Sequence, residues 1–176
     1  MGPRITTAYF QGTILIPNIT TGNSVLDTAR ASDLNYYTTL YEEEYLKYLL
    51  GDDLFDQYEA AVDALPPLGS LSAKWQALVN QIYFTKNSKY LSPAAYYIWF
   101  NYMKFNQSYT TNSGQAIPNK ENAVNTEAWN KMVMNWNVMC EMTDVIREWL
   151  DDNAATYDTY SKPSPDYLIR INRIGY

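Results

Sequence analysis

Apolar residues recur at three- and four-residue steps over most of this chain, and that spacing predicts helices. Val25, Leu26, Ala29, Leu40, Tyr41, Leu46 and Leu49 form a broken apolar face on a long first helix. Asn23 or Ser24 can cap it, and it runs to about Leu50. Its middle, Ser32-Asp33-Leu34-Asn35, is weak helix-forming material and allows a bend or a break. Gly51 is placed to take the left-handed conformation that closes a helix. Asp52 or Asp53 can then cap a second helix that opens at Leu54 and Phe55 and is stopped by Pro66-Pro67. Ser70 or Ser72 caps a third, with the stripe Trp75, Leu78, Val79, Ile82 and Tyr83. Residues 85–91 have no regular period and read as a polar break.

Ser92-Pro93 starts a fourth helix, serine at the cap and proline in the first turn. Ala94, Ala95, Tyr97, Ile98, Trp99, Phe100, Tyr102, Met103 and Phe105 make it apolar on nearly every side, which predicts the centre of the bundle. Asn101 and Lys104 interrupt the run, and it is too short to cross a membrane. Residues 109–125 are polar and predict a long loop or an extended β-arm. Thr126 caps the last long helix, with Trp129, Met132, Val133, Trp136, Met139, Cys140, Thr143, Ile146 and Leu150 on one stripe. It frays or continues through residues 151–160.

The two ends follow a different pattern. Thr6, Thr7, Tyr9, Phe10, Thr13, Ile14 and Ile16 are strand formers around a Gln11-Gly12 turn, which predicts a short β-hairpin arm. The arm either packs on its own domain or adds to a neighbouring subunit. After Lys162-Pro163-Ser164-Pro165, residues 167, 169 and 171 alternate with 168, 170 and 172 in a strand-like tail. An isoleucine- and tyrosine-rich tail should not hang in water. It packs back on the bundle or docks on a partner. The expected fold is mainly α: an arm over 1–22, a helical bundle over 23–160 containing the loop 109–125, and a C-terminal tail over 161–176.

Composition narrows the function classes. The chain has 176 residues, 47% of them hydrophobic, enough for one domain with a real core. Its 17 Tyr and 5 Trp favour interfaces, because both bury area while keeping a polar handle. The net charge of −6 argues against gripping nucleic acid through phosphates. With no histidine, the commonest general base and metal ligand is missing. Cys140 is the one cysteine, so no intrachain disulfide forms, and without a histidine partner it reads as a buried, inert thiol. No phosphate loop, dinucleotide glycine pattern, metal-ligand spacing or nucleophile elbow is present. Glu42-Glu43-Glu44, Asp52 and Asp53 are the only dense carboxylates. Successive helical residues point in different directions, so the three glutamates read as a solvated face. Neither enzymatic activity nor a cofactor is expected. No apolar signal core leads the chain, which reads as soluble and cytoplasmic at synthesis.

The order of features resembles a known family. Ala8-Tyr9-Phe10, Gly12 and Ile16-Pro17-Asn18 come first, then the corner Tyr41-Glu42, Tyr45-Leu46, Leu49-Leu50-Gly51 and Leu54-Phe55. Lys74-Trp75-Gln76-Ala77-Leu78, the helix from Ser92 to Tyr102, Thr110-Thr111-Asn112-Ser113-Gly114 and Trp136-Asn137 follow. This series is similar to the helical neck proteins of tailed bacteriophages, especially crAss-like and other phages of Bacteroides-like hosts. Residues 85–91 lack the tryptophan-glycine pair that the family pattern has between the third and fourth helices. The resemblance implies a head–tail connector, a twelve-fold ring under the portal that extends the DNA channel toward the tail. It implies location in the virion neck, and in the host cytoplasm during assembly. Implied partners are further copies of the chain, the portal protein, other neck or tail rings, and duplex DNA that passes without specific binding. It implies no catalytic residue, cofactor, metal or membrane. The arms and the loop would carry the contacts, through Tyr9, Phe10, Ile14, Ile117, Tyr167, Ile169, Ile171, Ile174 and Tyr176. The alternative is a monomeric helical interaction module that docks through its C-terminal tail.

Overall fold

The computed structural model describes residues 4–16, 19, 25–64, 70–106, 109–111, 114–116, 125–162 and 167–171. Five α-helices run through them: α1 (Val25–Leu50), α2 (Asp52–Asp63), α3 (Ala73–Ile82), α4 (Pro93–Asn106) and α5 (Asn125–Asp152). Strands β1 (Phe84–Lys86) and β2 (Lys89–Leu91) form an antiparallel hairpin between α3 and α4. Strands β3 (Tyr109–Thr111) and β4 (Gly114–Ala116) form another between α4 and α5. The fold is therefore mainly α, as the periodicity predicts. Among the described residues no helix is long and apolar enough to cross a membrane.

The near-uniform apolarity of α4 has the predicted consequence. It packs against α1 on one side and α5 on the other, and Ala94, Ala95, Ile98 and Trp99 are buried. Ser92 opens it, its Oγ accepting from the Ala94 N–H at 3.2 Å. Leu46, Leu49 and Leu50 of α1, Leu54 and Phe55 of α2, Leu78 and Ile82 of α3, and Met139, Ile146 and Leu150 of α5 complete one core. The Thr143 hydroxyl donates to the Met139 carbonyl at 2.8 Å. A hydroxyl has one proton, so Tyr45 Oη is the donor in its 2.9 Å bond to Thr143, a buried polar tie between α1 and α5.

Gly51 joins α1 to α2 with φ 74° and ψ 161°. The positive φ is as expected. The extended ψ is not the left-handed helical value, because Gly51 does two jobs at once. Its N–H closes α1 on the Lys47 carbonyl at 3.0 Å, and its carbonyl accepts from Phe55 at 3.0 Å. Gly51 is thus itself the cap of α2, and Asp52 and Asp53 lie in the first turn, where negative charge suits the helix dipole. A Cβ here would approach the Ser161 carbonyl oxygen at 3.2 Å. Gly51→Ala is expected to cost about 1–3 kcal/mol in urea unfolding, since that backbone region is essentially glycine-only.

Three other expectations are corrected. The N-terminal β-hairpin is absent: residues 7–9 and 12–14 form 3-10 turns, closed by bonds such as Tyr9 N–H to Thr6 O at 3.1 Å. This segment drops Ile5, Phe10, Ile14 and Ile16 into the core. Residues 85–91 are a hairpin in place of an irregular break. Its turn residues Asn87 and Ser88 have φ 53° and 60°, the pattern of a two-residue hairpin turn. The usual glycine is missing, which hides the turn in the sequence. Ser88→Gly is expected to raise stability by up to about 1 kcal/mol, less than the full left-handed strain because glycine is also freer when unfolded. Finally, α1 runs without a break through Ser32-Asp33-Leu34-Asn35, because Leu34 and Thr38 are buried there and tertiary packing outweighs propensity.

Candidate assembly surface

The tail lies along α5 and is held mainly by its main chain. The Asn137 side chain bonds both backbone groups of Ile171: Nδ2 donates to the carbonyl at 3.0 Å, and Oδ1 accepts from the N–H at 2.8 Å. An asparagine amide offers one acceptor and two donors, so it can stand in for a neighbouring strand. One residue earlier on α5, Trp136 Nε1 donates to the Ile169 carbonyl at 2.7 Å. Arg170 lies between Asp144 (3.1 Å) and Glu141 (3.7 Å). These pairs are solvent-exposed and add little. The Tyr167 ring stacks on Tyr48 of α1 at 4.8 Å and 14°. Leu168 is the one buried side chain of the segment, at φ 60°.

Docking this segment is nearly balanced. Ordering residues 167–171 costs roughly 5–10 kcal/mol. Burial of Leu168 returns about 2 kcal/mol. The bonds from Trp136 and Asn137 return about 1 kcal/mol each, and the stacked rings about 1 kcal/mol. The two sides agree within a few kcal/mol, so the tail is marginally held.

Cys140 lies among these groups. Burial pushes its thiol up to about 12; Asp144 adds to the rise, while Arg170 and Arg147 oppose it. The thiol is inert at neutral pH.

Elsewhere on its surface, α5 presents apolar side chains to solvent. At about 100° per residue, Met134, Val138 and Val145 fall within about 40° of one another. All are exposed, Val145 by 61%. Val145 continues into a shallow groove of about 320 Å³ lined by Asn80, Gln81, Phe84, Met142 and Ile146. A second apolar flank lies on α1 and α4. Tyr36, Leu40 and Phe105 are exposed there, with Tyr37 edge-on to Tyr36 at 5.8 Å and tilted against Phe105 at 6.2 Å. A charged cleft of about 530 Å³ occupies the α1–α2 corner, lined by Glu44, Lys47, Tyr48, Gly51, Asp52, Ser161, Lys162 and Tyr167.

The three glutamates are not one solvated face. Glu43 is exposed and pairs with Lys47 at 2.7 Å. Glu44 accepts from the Tyr97 hydroxyl; burial and this carboxylate push the Tyr97 phenol well up. Glu42 is only 2% exposed. Its carboxylate accepts from the Arg4 N–H at 3.0 and 3.1 Å, the Ile5 N–H at 3.2 Å and the Tyr83 hydroxyl at 2.6 Å. Burial raises its pKa; those bonds and the Arg4 charge pull it back only in part. Burial, with the Glu42 charge next, pushes the Tyr83 phenol far above its usual value. Glu42 therefore anchors the N-terminal segment to α1 and to the end of α3.

The expected contact residues divide accordingly. Phe10 and Ile14 are buried in the chain's own core, so they are corrected from partner contacts to packing residues. Tyr9 is half-buried, against Tyr83 at 6.5 Å and Tyr90 at 5.5 Å. Tyr167 and Ile169 are exposed, and Ile171 is half-buried at Asn137. Ile117, Ile174 and Tyr176 lie outside the described residues. Trp129 and Phe105, expected in the core, face solvent. Asn137 and the buried role of Glu42 were not legible: an asparagine beside a tryptophan and a glutamate among glutamates carry no local signal of their partners. The chain matches no protein-family model, no curated protein and no solved structure.

Proposed function

We propose that this chain is a structural protein of the neck of a tailed bacteriophage. In this reading it forms a ring, twelve-fold if the resemblance to neck proteins holds, that joins the portal to the tail and extends the DNA channel, with no catalytic role. The observation that carries the reading is the pair of unlike apolar flanks, Met134-Val138-Val145 on α5 and Tyr36-Leu40-Phe105 on α1 and α4. An isologous dimer uses one patch twice. Two different patches favour a head-to-tail contact, and such contacts build a ring where the rotation between copies closes. The ordered series of motifs similar to neck proteins supports the same reading. So does the excess of 19 acidic over 13 basic residues, which suits a channel wall that repels phosphates and lets duplex DNA slide. The ring would sit in the virion neck after assembly from the host cytoplasm, against the portal and other neck or tail rings.

Electron microscopy of the protein mixed with its phage's portal, or of the intact neck, tests this. A closed ring of this bundle is expected, and Val138→Asp is expected to abolish it while the monomer stays folded by circular dichroism. Absence of the protein from particles, with no ring on the portal, would overturn the reading in favour of the monomeric interaction module. Micromolar binding to duplex DNA at low salt would count against the passive channel.

A further inference from the structure

We propose that the recess on α5 around Trp136, Asn137, Asp144 and Arg147 is a binding site for an extended chain segment, and that its second occupant is the 167–171 tail of another copy of this chain. The recess already accepts this sequence, so an identical tail from a neighbour meets the same partners. Recognition runs through main-chain groups, the Ile169 carbonyl on Trp136 and both polar groups of Ile171 on Asn137. Such bonds do not depend on which chain supplies the backbone. Arg170 then brings its charge to Asp144 and Glu141, and Leu168 supplies the apolar anchor.

The docked tail also leaves apolar surface uncovered. Ile169 is 57% exposed and Tyr167 is exposed in the self-docked tail. A neighbour that exchanges tails brings its own bundle over this surface, so exchange covers what self-docking leaves in water. A marginally held tail exchanges when the concentration of copies approaches the effective concentration of the tethered segment, about a millimolar for a short linker. The exchange requires neither a ring nor a virion, so it stands or falls apart from the neck assignment.

Intermolecular paramagnetic broadening tests it on the full chain. One copy, unlabelled with nitrogen-15, carries a nitroxide on Ile169→Cys in a Cys140→Ser background. It is mixed with a nitrogen-15 copy carrying Cys140→Ser alone. Ile169 is exposed, so the label is tolerated, and the amide spectrum of each copy reports its folding. The expected result is broadening selective for amides of residues 136–147 in the nitrogen-15 copy, growing with concentration toward a millimolar. Asn137→Leu in that copy is expected to reduce it several-fold, while α2 and the β1–β2 hairpin stay sharp. Broadening that is uniform over the surface, or none at all, would overturn the proposal, as would selective broadening that Asn137→Leu leaves unchanged.

Discussion

Glu42→Ala is expected to destabilise the protein by roughly 2–4 kcal/mol, whereas Glu42→Gln stays within about 1 kcal/mol of the parent at neutral pH. Alanine leaves the N–H groups of Arg4 and Ile5 and the Tyr83 hydroxyl without their acceptor in a buried place. Glutamine keeps an oxygen for the two N–H groups, and its amide can donate to Tyr83 in place of accepting from it. The direction of the Glu42 pKa supports the contrast, since a raised value means that the site prefers the neutral form. The sign for pH follows from the same shift. The folded state holds the Glu42 proton more tightly than the unfolded chain, whose value is near 4.5. The stability so contributed is full below that value and is lost as pH rises through the folded one. Urea midpoints from pH 4 to 7 should therefore fall less steeply in Glu42→Gln than in the parent. Equal slopes would remove Glu42 as the source. Tyr83→Phe in the Glu42→Ala background should recover part of the loss, because one orphaned donor goes with it.

Trp99→Ala is expected to cost roughly 3–5 kcal/mol, a large share of the 5–15 kcal/mol typical of a domain. Trp99 is 1% exposed and is the largest fully buried side chain, on the helix that packs against both α1 and α5. Its removal opens a cavity between three helices that cannot all close on it. Trp99→Phe is expected to be far milder, about 1 kcal/mol. The indole Nε1 has no hydrogen-bond partner among the described residues, so phenylalanine gives up volume without orphaning a group. Lys131 stands over the indole at 5.5 Å, and the weaker pull of a phenyl face accounts for part of that residual cost. Urea unfolding followed by circular dichroism checks both variants. A loss below 1 kcal/mol for Trp99→Ala would show that α1 and α5 collapse onto α4 without it.

Helix placement was legible because burial and helical period share one cause. A residue such as Ile98 must be apolar to sit between helices, and its neighbours at three and four steps share its face. Gly51 was legible for a similar reason, since its positive φ excludes most other residues. The N-terminal segment misled because strand formers also serve as buried anchors in 3-10 turns; Phe10 and Ile14 are apolar in either case. The β1–β2 hairpin was hidden because Asn87-Ser88 takes a turn that is usually marked by glycine.

The sequence alone determined which segments are helical, that α4 lies at the centre, and that Cys140 is buried. These follow from composition and local period. Tertiary structure alone decided that Glu42 is buried while Glu43 and Glu44 meet other partners, and that Asn137 pairs with Ile171 across 34 positions of chain. It also decided that Met134, Val138 and Val145 face water. Each depends on what lies opposite a side chain in space, and the identity of a residue carries no record of a partner so distant in the chain.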